Sequence, residues 1–250
     1  MFLADDSWAA NPVRFAEECL DFHPDPSQSR ILASDCRRVL LNCSRQWGKS
    51  TVTALKAVHH ALAEAASMVL IVSPSERQSR EFLRKAKSFV RRLELPVRGD
   101  GDNEVSLQLP NGSRMVGVPS REDTVRGFSA VSLILIDEAA RVPDEMYRSV
   151  RPMLAVGDGA LWLLSTPYGK RGFFWEAWDQ GKEPWTRISV PATECPRISK
   201  KFLDAERLAL GERAFAQDYL CRFTDSDDQI FQDEYIRRAF TPGLKPLCFD

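Results

Sequence analysis

The sequence predicts an α/β fold, a mainly parallel central sheet flanked by helices. Three observations carry that prediction. Residues 39–41, 68–72 and 131–136 are short apolar runs without polar alternation, the pattern of strands buried on both faces. Helix-like stretches follow the first two, residues 50–66 and the segment after Ser75, so strand and helix alternate as parallel crossovers demand. The third observation is chemical. Gly48-Lys49-Ser50 follows the first run and Asp137-Glu138 the third, and ligands of open α/β sheets lie outside the carboxyl ends of the strands.

Length and composition set bounds on this picture. A chain of 250 residues can hold one large α/β domain with an appendage. Its net charge of −1 means that any nucleic-acid contact has to come from a local basic patch. The six cysteines form no C-x-x-C pair and the histidines at 23, 59 and 60 have no zinc spacing, so reduced thiols are expected. No apolar run approaches membrane length, and Asp5-Asp6 does not suit a signal peptide.

In chain order, Asn11 followed by Pro12 reads as a helix cap and first helical residue, with Phe15, Cys19 and Phe22 on the apolar side. His23-Pro24-Asp25-Pro26 ends that helix. Gln28 precedes a second apolar segment at Ile31 and Leu32. An amide can donate to and accept from the edge of adenine, so Gln28 is either a base reader or a surface residue in a turn. Residues 39–52 then run from strand through polar loop into helix. A polyphosphate needs converging backbone N–H groups, a lysine on its outer phosphates and a hydroxyl on magnesium; Lys49 and Ser50 are the candidates. The pattern G-x-x-x-x-G-K-[ST] is incomplete, because Cys43 stands at its first glycine. The helix that follows points its positive N-terminus at the phosphates.

Ser73-Pro74-Ser75 starts a long helix that buries Phe82, Ala86, Phe89, Val90 and Leu93. Arg80, Arg84, Lys87 and Arg91 line its outside, either as a solvated face or as a contact for a phosphate backbone or neighbouring subunit. Residues 105–109 and 115–118 flank a turn at 110–113 and form a hairpin or a pair of short strands. Arg126-Gly127 lies in the loop before the next strand. That strand ends in two acids that are expensive to bury and so must face a cation or water. In such a site Asp137 holds magnesium, while Glu138 orients and deprotonates an attacking water. Residues 161–164 run into Ser165-Thr166-Pro167, placing two hydroxyls where they can sense the terminal phosphate. Phe173, Phe174, Trp175 and Trp178 cluster on a short helix; they either pack in the core or stack on bases, and the spacing of Phe174 and Trp178 favours packing. Beyond Ser199, Phe202, Leu203, Leu208 and Leu210 precede a break at Gly211, then Phe215, Tyr219 and Phe223 follow, which reads as two helices in a small appendage. A polar hinge at 224–228 leads to a short helix around Tyr235.

Taken in order, Gln28, the run Ser44-Arg45-Gln46-Trp47-Gly48-Lys49-Ser50, Arg126-Gly127, the strand ending in Asp137-Glu138-Ala139, and Ser165-Thr166-Pro167 resemble the ATPase half of the large terminase subunit of tailed bacteriophages. That family tolerates loss of the first Walker A glycine and carries an arginine early in the loop, as Cys43 and Arg45 do here. Residues 210–223 resemble its helical lid, with Asp218 where glutamate is more usual. The resemblance implies a P-loop NTPase of the additional-strand, catalytic-glutamate type, using ATP and Mg2+. It implies a motor that drives double-stranded DNA into a procapsid as a homo-oligomeric ring, with portal protein and small terminase subunit as partners, in the host cytoplasm and away from membranes. On it, Gln28 recognises adenine, and Ser44, Arg45, Gln46, Gly48, Lys49, Ser50 and Thr51 line the nucleotide. Ser50 and Asp137 hold the metal, Glu138 is the catalytic base, and Ser165 and Thr166 form the coupling motif. Arg126 falls where some relatives place an arginine finger acting on the neighbouring subunit, and Arg45 acts within its own.

The corresponding division is an ATPase core over 1–195, a helical lid over 196–225 and a linker over 226–250. Large terminases usually carry an RNase H-like nuclease; its carboxylates are expected beyond Asp250, so this chain is expected to hydrolyse ATP without cutting DNA. Two other readings use the same motifs, a helicase-like nucleic-acid-dependent ATPase and a non-hydrolysing nucleotide-binding scaffold. An intact Glu138 argues against the scaffold.

Overall fold

The computed structural model describes residues 8–96, 105–121, 125, 127–179, 183–225, 235 and 239. Among them seven strands form one sheet: β1 (Arg38–Cys43), β2 (Met68–Ser73), β3 (Ser106–Gln108), β4 (Arg114–Pro119), β5 (Leu133–Asp137), β6 (Ala160–Ser165) and β7 (Thr186–Val190). Their order is β3-β4-β2-β5-β6-β1-β7, and every neighbouring pair is parallel except β3 with β4. β6 therefore lies between β1 and β5. Two strand spacings, about 10 Å, separate the end that leads to Gly48-Lys49-Ser50 from the end that carries Asp137-Glu138.

Helices cover both faces. Strand residues alternate between them with period 2, so Val39, Leu41 and Cys43 pack on one side while Leu40 packs on the other. The first side is closed by α1 (Pro12–Arg14), α2 (Pro26–Leu32), α3 (Lys49–Ala63) and α4 (Glu76–Arg92), with Phe15, Trp47, Leu55 and Phe82 fully or almost fully buried. The second is closed by α5 (Asp144–Val150) and α6 (Gly172–Asp179), through Met146, Val150 and Phe174. α7 (Lys200–Asp218) packs a small cluster of its own, Leu203, Phe215 and Tyr219 against Ala192.

Several expected features appear as read. Asn11 caps α1 by accepting from the amides of Val13 and Arg14. Ser75 caps α4, whose buried face includes Phe82, Ala86, Phe89 and Val90. Residues 105–119 form the antiparallel hairpin, and Gly211 breaks α7 with φ 76° and ψ 163°. Five features differ. After one turn the first helix widens into a π-turn, Phe15–Cys19. The segment holding Gln28 is a helix, α2, closed by a capping box between Asp25 and Gln28. Neither β7 nor α5 was anticipated: β7 is an edge strand of alternating Thr186-Arg187-Ile188-Ser189-Val190, too polar to register as a buried run. In α7 only part of the apolar pattern is buried. Leu203 and Phe215 turn inward, while Leu208 is 87% exposed, because five residues beyond Leu203 in the same half of the helix it lies about 140° round from it. The tail after 225 lies outside the described residues, apart from Tyr235 and Ala239.

His59 on α3 tests how the first core is held. Its ring meets Trp8 and Phe15, and its Nε2 donates to the Trp8 carbonyl at 3.0 Å. Burial holds the imidazole at about 4, below its ordinary 6.5. The folded state thus binds this proton more weakly than the unfolded state, and stability falls as pH drops from 6.5 towards 4, by about 3 kcal/mol. Denaturant melts should show this acid-side loss reduced in His59→Gln, which keeps a donor for Trp8; an identical pH dependence in the variant would contradict the assignment.

Candidate active site

The phosphate-type loop is held from three sides. β1 delivers it at Cys43, whose neighbour Ser44 donates its amide to the Val190 carbonyl of β7 at 3.0 Å. Trp47 is fully buried in the first core and pins the loop's middle. Left-handed backbone at Gln46 (φ 59°) and Gly48 (φ 104°) turns the chain into α3. At Gly48 the nearest atom to an added Cβ is 3.6 Å away, so glycine is required there by backbone conformation and not by space. Cys43 faces no such demand. It ends a regular strand paired with Val190 and is absent from the positive-φ positions, which is why a side chain is tolerated at the pattern's first glycine.

Across the sheet, Asp137 ends β5 buried, and Ser50 Oγ lies 3.1 Å from its Oδ2. Glu138 leaves the strand in left-handed conformation (φ 53°, ψ 42°), a strained geometry for a non-glycine residue that turns its carboxylate back over the strand ends. There it pairs with Lys49 Nζ at 2.5 Å. Burial alone pushes the Lys49 ammonium down, but Glu138 and Asp137 outweigh it and hold the pKa above its ordinary value. Burial raises the Asp137 carboxyl, an effect that Lys49 and the Ser50 hydroxyl only partly offset.

β6, between them, ties the two halves together. Thr166 Oγ1 donates to the Cys43 carbonyl at 2.9 Å, and Ser165 Oγ accepts from the Ala140 amide at 3.2 Å while donating to the Thr166 carbonyl. One dipeptide thus touches the end of β1 and the turn that follows Glu138. Gln28 lies 4% exposed, its Nε2 3.6 Å from the point above Gly48 and its Oε1 accepting from the Asp25 amide. Its donor end faces the loop, and its acceptor end already serves the cap of α2. Arg45 is paired outward, its Nε 2.9 Å from Asp218 at the end of α7 and its amide donating to the Asp218 carbonyl. Thr51 sits in the first turn of α3 with its amide on the Gly48 carbonyl. Arg126 lies outside the described residues. The sequence reading missed Trp47 as an anchor, and missed Arg197, which reaches the Trp47 carbonyl and Asp25. An arginine shortly before a helix leaves no motif by itself.

The donor set suits a magnesium nucleotide. Ser50 and Asp137 offer two adjacent hard oxygens, to which phosphate and water oxygens would add. Among the described residues the buried Ser44 Oγ has no hydrogen-bond partner, and an anion in the loop would supply an acceptor.

The family model described as terminase large subunit, T4likevirus-type, N-terminal, matches residues 40–238. The chain belongs to the large terminase family. Among curated relatives, the terminase large subunit of Thermus phage G20c is 26% identical over 86% of this chain and 51% of its own length. This terminase chain therefore spans about half the length of the curated relatives it matches. Two solved structures share its fold: the large terminase ATPase domain of Thermus phage P74-26 at TM-score 0.75 and 23% identity, covering 86% of this chain and 99% of that one, and the large terminase of the thermophilic bacteriophage D6E in complex with ATP-gamma-S at TM-score 0.67 and 14% identity, covering 80% of this chain and 52% of that one. The β1-β6-β5 order identifies the fold as the additional-strand type of P-loop NTPase. Among the described residues no helix is long and apolar enough to cross a membrane.

Gly48→Ala should be destabilised by about 1–2 kcal/mol through its left-handed backbone despite the room for a methyl group. Urea melts giving wild-type stability would show that the loop relaxes away from this conformation.

Proposed function

We propose that this terminase chain is the ATP-hydrolysing motor domain that drives double-stranded DNA into a procapsid. The observation that carries the proposal is the meeting of Lys49 and Ser50 with Glu138 and Asp137 at the carboxyl ends of β1 and β5. Support comes from the D6E relative's complex with ATP-gamma-S and from the P74-26 relative's description as an ATPase domain.

The proposed mechanism is one of exchange. An arriving triphosphate competes with Glu138 for the Lys49 ammonium, so Lys49 moves to phosphate oxygens and the Glu138 carboxylate is released. Ser50 and Asp137 would hold the magnesium ion, which supplies charge neutralisation on the phosphates. Gln28 donates through Nε2 to a ring nitrogen of adenine and accepts from the exocyclic amine on the second lone pair of Oε1, and the loop from Ser44 to Thr51 encloses the phosphate chain. Glu138 then orients water in line with the terminal phosphate and accepts its proton. Stabilisation of charge in the transition state falls to Lys49 and an arginine: Arg45 from the same subunit after leaving Asp218, and Arg126 from a neighbour in a homo-oligomeric ring. Ser165 and Thr166 couple phosphate loss to the ends of β1 and β5. The division into a core over 1–195, a lid over 196–225 and a linker over 226–250 belongs to this reading, as do portal protein and small terminase subunit as partners and host cytoplasm as the location. The α4 face, where Arg80 and Arg84 are exposed and paired with Glu76 and Glu81, is the candidate for contacting DNA phosphates.

Glu138→Gln should cut ATP turnover by about 10²- to 10⁴-fold while leaving ADP binding intact, as read by phosphate release and fluorescent-nucleotide titration. Unchanged turnover would remove Glu138 as the catalytic base, and a wild-type chain that binds ATP without releasing phosphate would favour the scaffold reading. Arg126→Ala should keep ATP binding and lose turnover only in the assembled ring; full ring activity in that variant would remove Arg126 from the mechanism.

A further inference from the structure

Arg197 stands in the link between β7 and α7, two residues before Ser199 caps the helix. Its guanidinium makes two charge-assisted contacts. Nη2 donates to the Trp47 carbonyl at 2.7 Å, and Nη1 pairs with Asp25 Oδ2 at 2.9 Å. Asp25 is nearly buried, and its second oxygen accepts from the Gln28 amide at 2.9 Å, closing the cap of α2. Arg197 Nη2 and Gln28 Nε2 also flank one point above Gly48, at 3.9 and 3.6 Å. A single side chain from the foot of the lid thus touches both the phosphate loop and the helix that carries Gln28.

The peptide plane gives the first contact a consequence. In a trans peptide the carbonyl of one residue and the N–H of the next point in opposite directions, and the unit is rigid. Holding the Trp47 carbonyl on the Arg197 side therefore directs the Gly48 N–H the other way. The amides of Gln46, Trp47 and Gly48 have no backbone acceptor among the described residues, as a loop built to receive an anion requires. Through Asp25, the same guanidinium fixes the register of α2 and with it the amide of Gln28. Lysine cannot replace this fork, because one ammonium does not bridge two acceptors with a planar, preset geometry.

We propose that Arg197 is a positioning residue of the nucleotide site, orienting the Gly48 N–H towards the phosphates and the Gln28 amide towards the base, and tying both to the foot of α7. The inference rests on the nucleotide reading given under Proposed function. It makes base preference depend on a residue at the foot of α7 whose contacts are the Trp47 carbonyl and Asp25.

Fluorescent ADP and GDP titrations on the full chain test it, with Lys49→Ala as the control for the site. Wild type should bind ADP in preference to GDP, and Lys49→Ala should bind neither. Arg197→Ala should bind ADP about tenfold more weakly, the loss of one charge-assisted hydrogen bond, and should lose most of its preference over GDP, with a melting temperature showing that it is folded. If Arg197→Ala does not fold, Arg197→Lys carries the test, with weaker ADP binding and a reduced preference expected. A folded Arg197 variant that matches wild type in both affinity and preference overturns the inference and leaves the nucleotide reading standing. Wild-type chain that binds no ADP overturns both.

Discussion

Asp137 and Glu138 are consecutive acids at the end of a strand buried on both faces, and much of the surrounding structure serves to keep two carboxylates there. Desolvation penalises each charge, and only compensating partners make the arrangement tenable. Lys49 meets Glu138, and the Ser50 hydroxyl meets Asp137. One ammonium facing two carboxylates leaves the strand ends short of positive charge. A site with that imbalance is suited to a divalent cation that arrives with its own anion, since the ammonium can then pass to the anion while the cation serves Asp137. The position of β6 sets the scale of the site: it holds the ends of β1 and β5 about two strand spacings, roughly 10 Å, apart, and the Lys49 side chain reaches across to Glu138.

The strand that holds these ends apart also links them. Thr166 is bonded to the last carbonyl of β1, and Ser165 to the turn after Glu138, so a shift at either strand end is felt at the other. α7 is attached to the same loop at two points. Asp218 at its far end holds Arg45, and Arg197 before its near end holds Trp47. A small helical unit with a loose core of Leu203, Phe215 and Tyr219 is thereby registered against the phosphate loop by ion pairs and carbonyl contacts more than by apolar packing. Contacts of that kind can be exchanged for contacts to a ligand, which apolar packing cannot.

Features written as local pattern were legible in the sequence. Buried parallel strands read as unbroken apolar runs, so β2 and β5 were plain, and the acids after β5 gained meaning from Gly48-Lys49-Ser50 far upstream. Of the two edge strands, β3 was legible through the turn at 110–113 beside it, and β7 was not. β7 alternates Arg187 and Ser189 with Ile188 and Val190 because one of its sides is uncovered, and with no turn signal pairing it to a neighbouring strand such short alternation does not stand out from a polar loop. Gln28 stood out as an amide upstream of the loop, yet its place in a capping box with Asp25 depends on α2 being a helix, which Pro24 and Pro26 obscured. Arg197 left no trace, since its partners lie about 150 and 172 residues away in sequence. The exposed Leu208 misled for a different reason: it stands five residues from the buried Leu203, about 140° round the same helical half, so being apolar did not place it on the packed face.

The central claim is that the Lys49–Glu138 pair is a resting contact that a nucleotide displaces. A crystal structure of the chain with ATP-gamma-S and magnesium measures this directly. The account predicts Lys49 Nζ on phosphate oxygens, the ion between Ser50 and Asp137, and Glu138 free of the lysine and facing the terminal phosphate. Phosphates bound away from Gly48-Lys49-Ser50, or a Lys49–Glu138 contact kept at its present 2.5 Å with nucleotide in place, would contradict it.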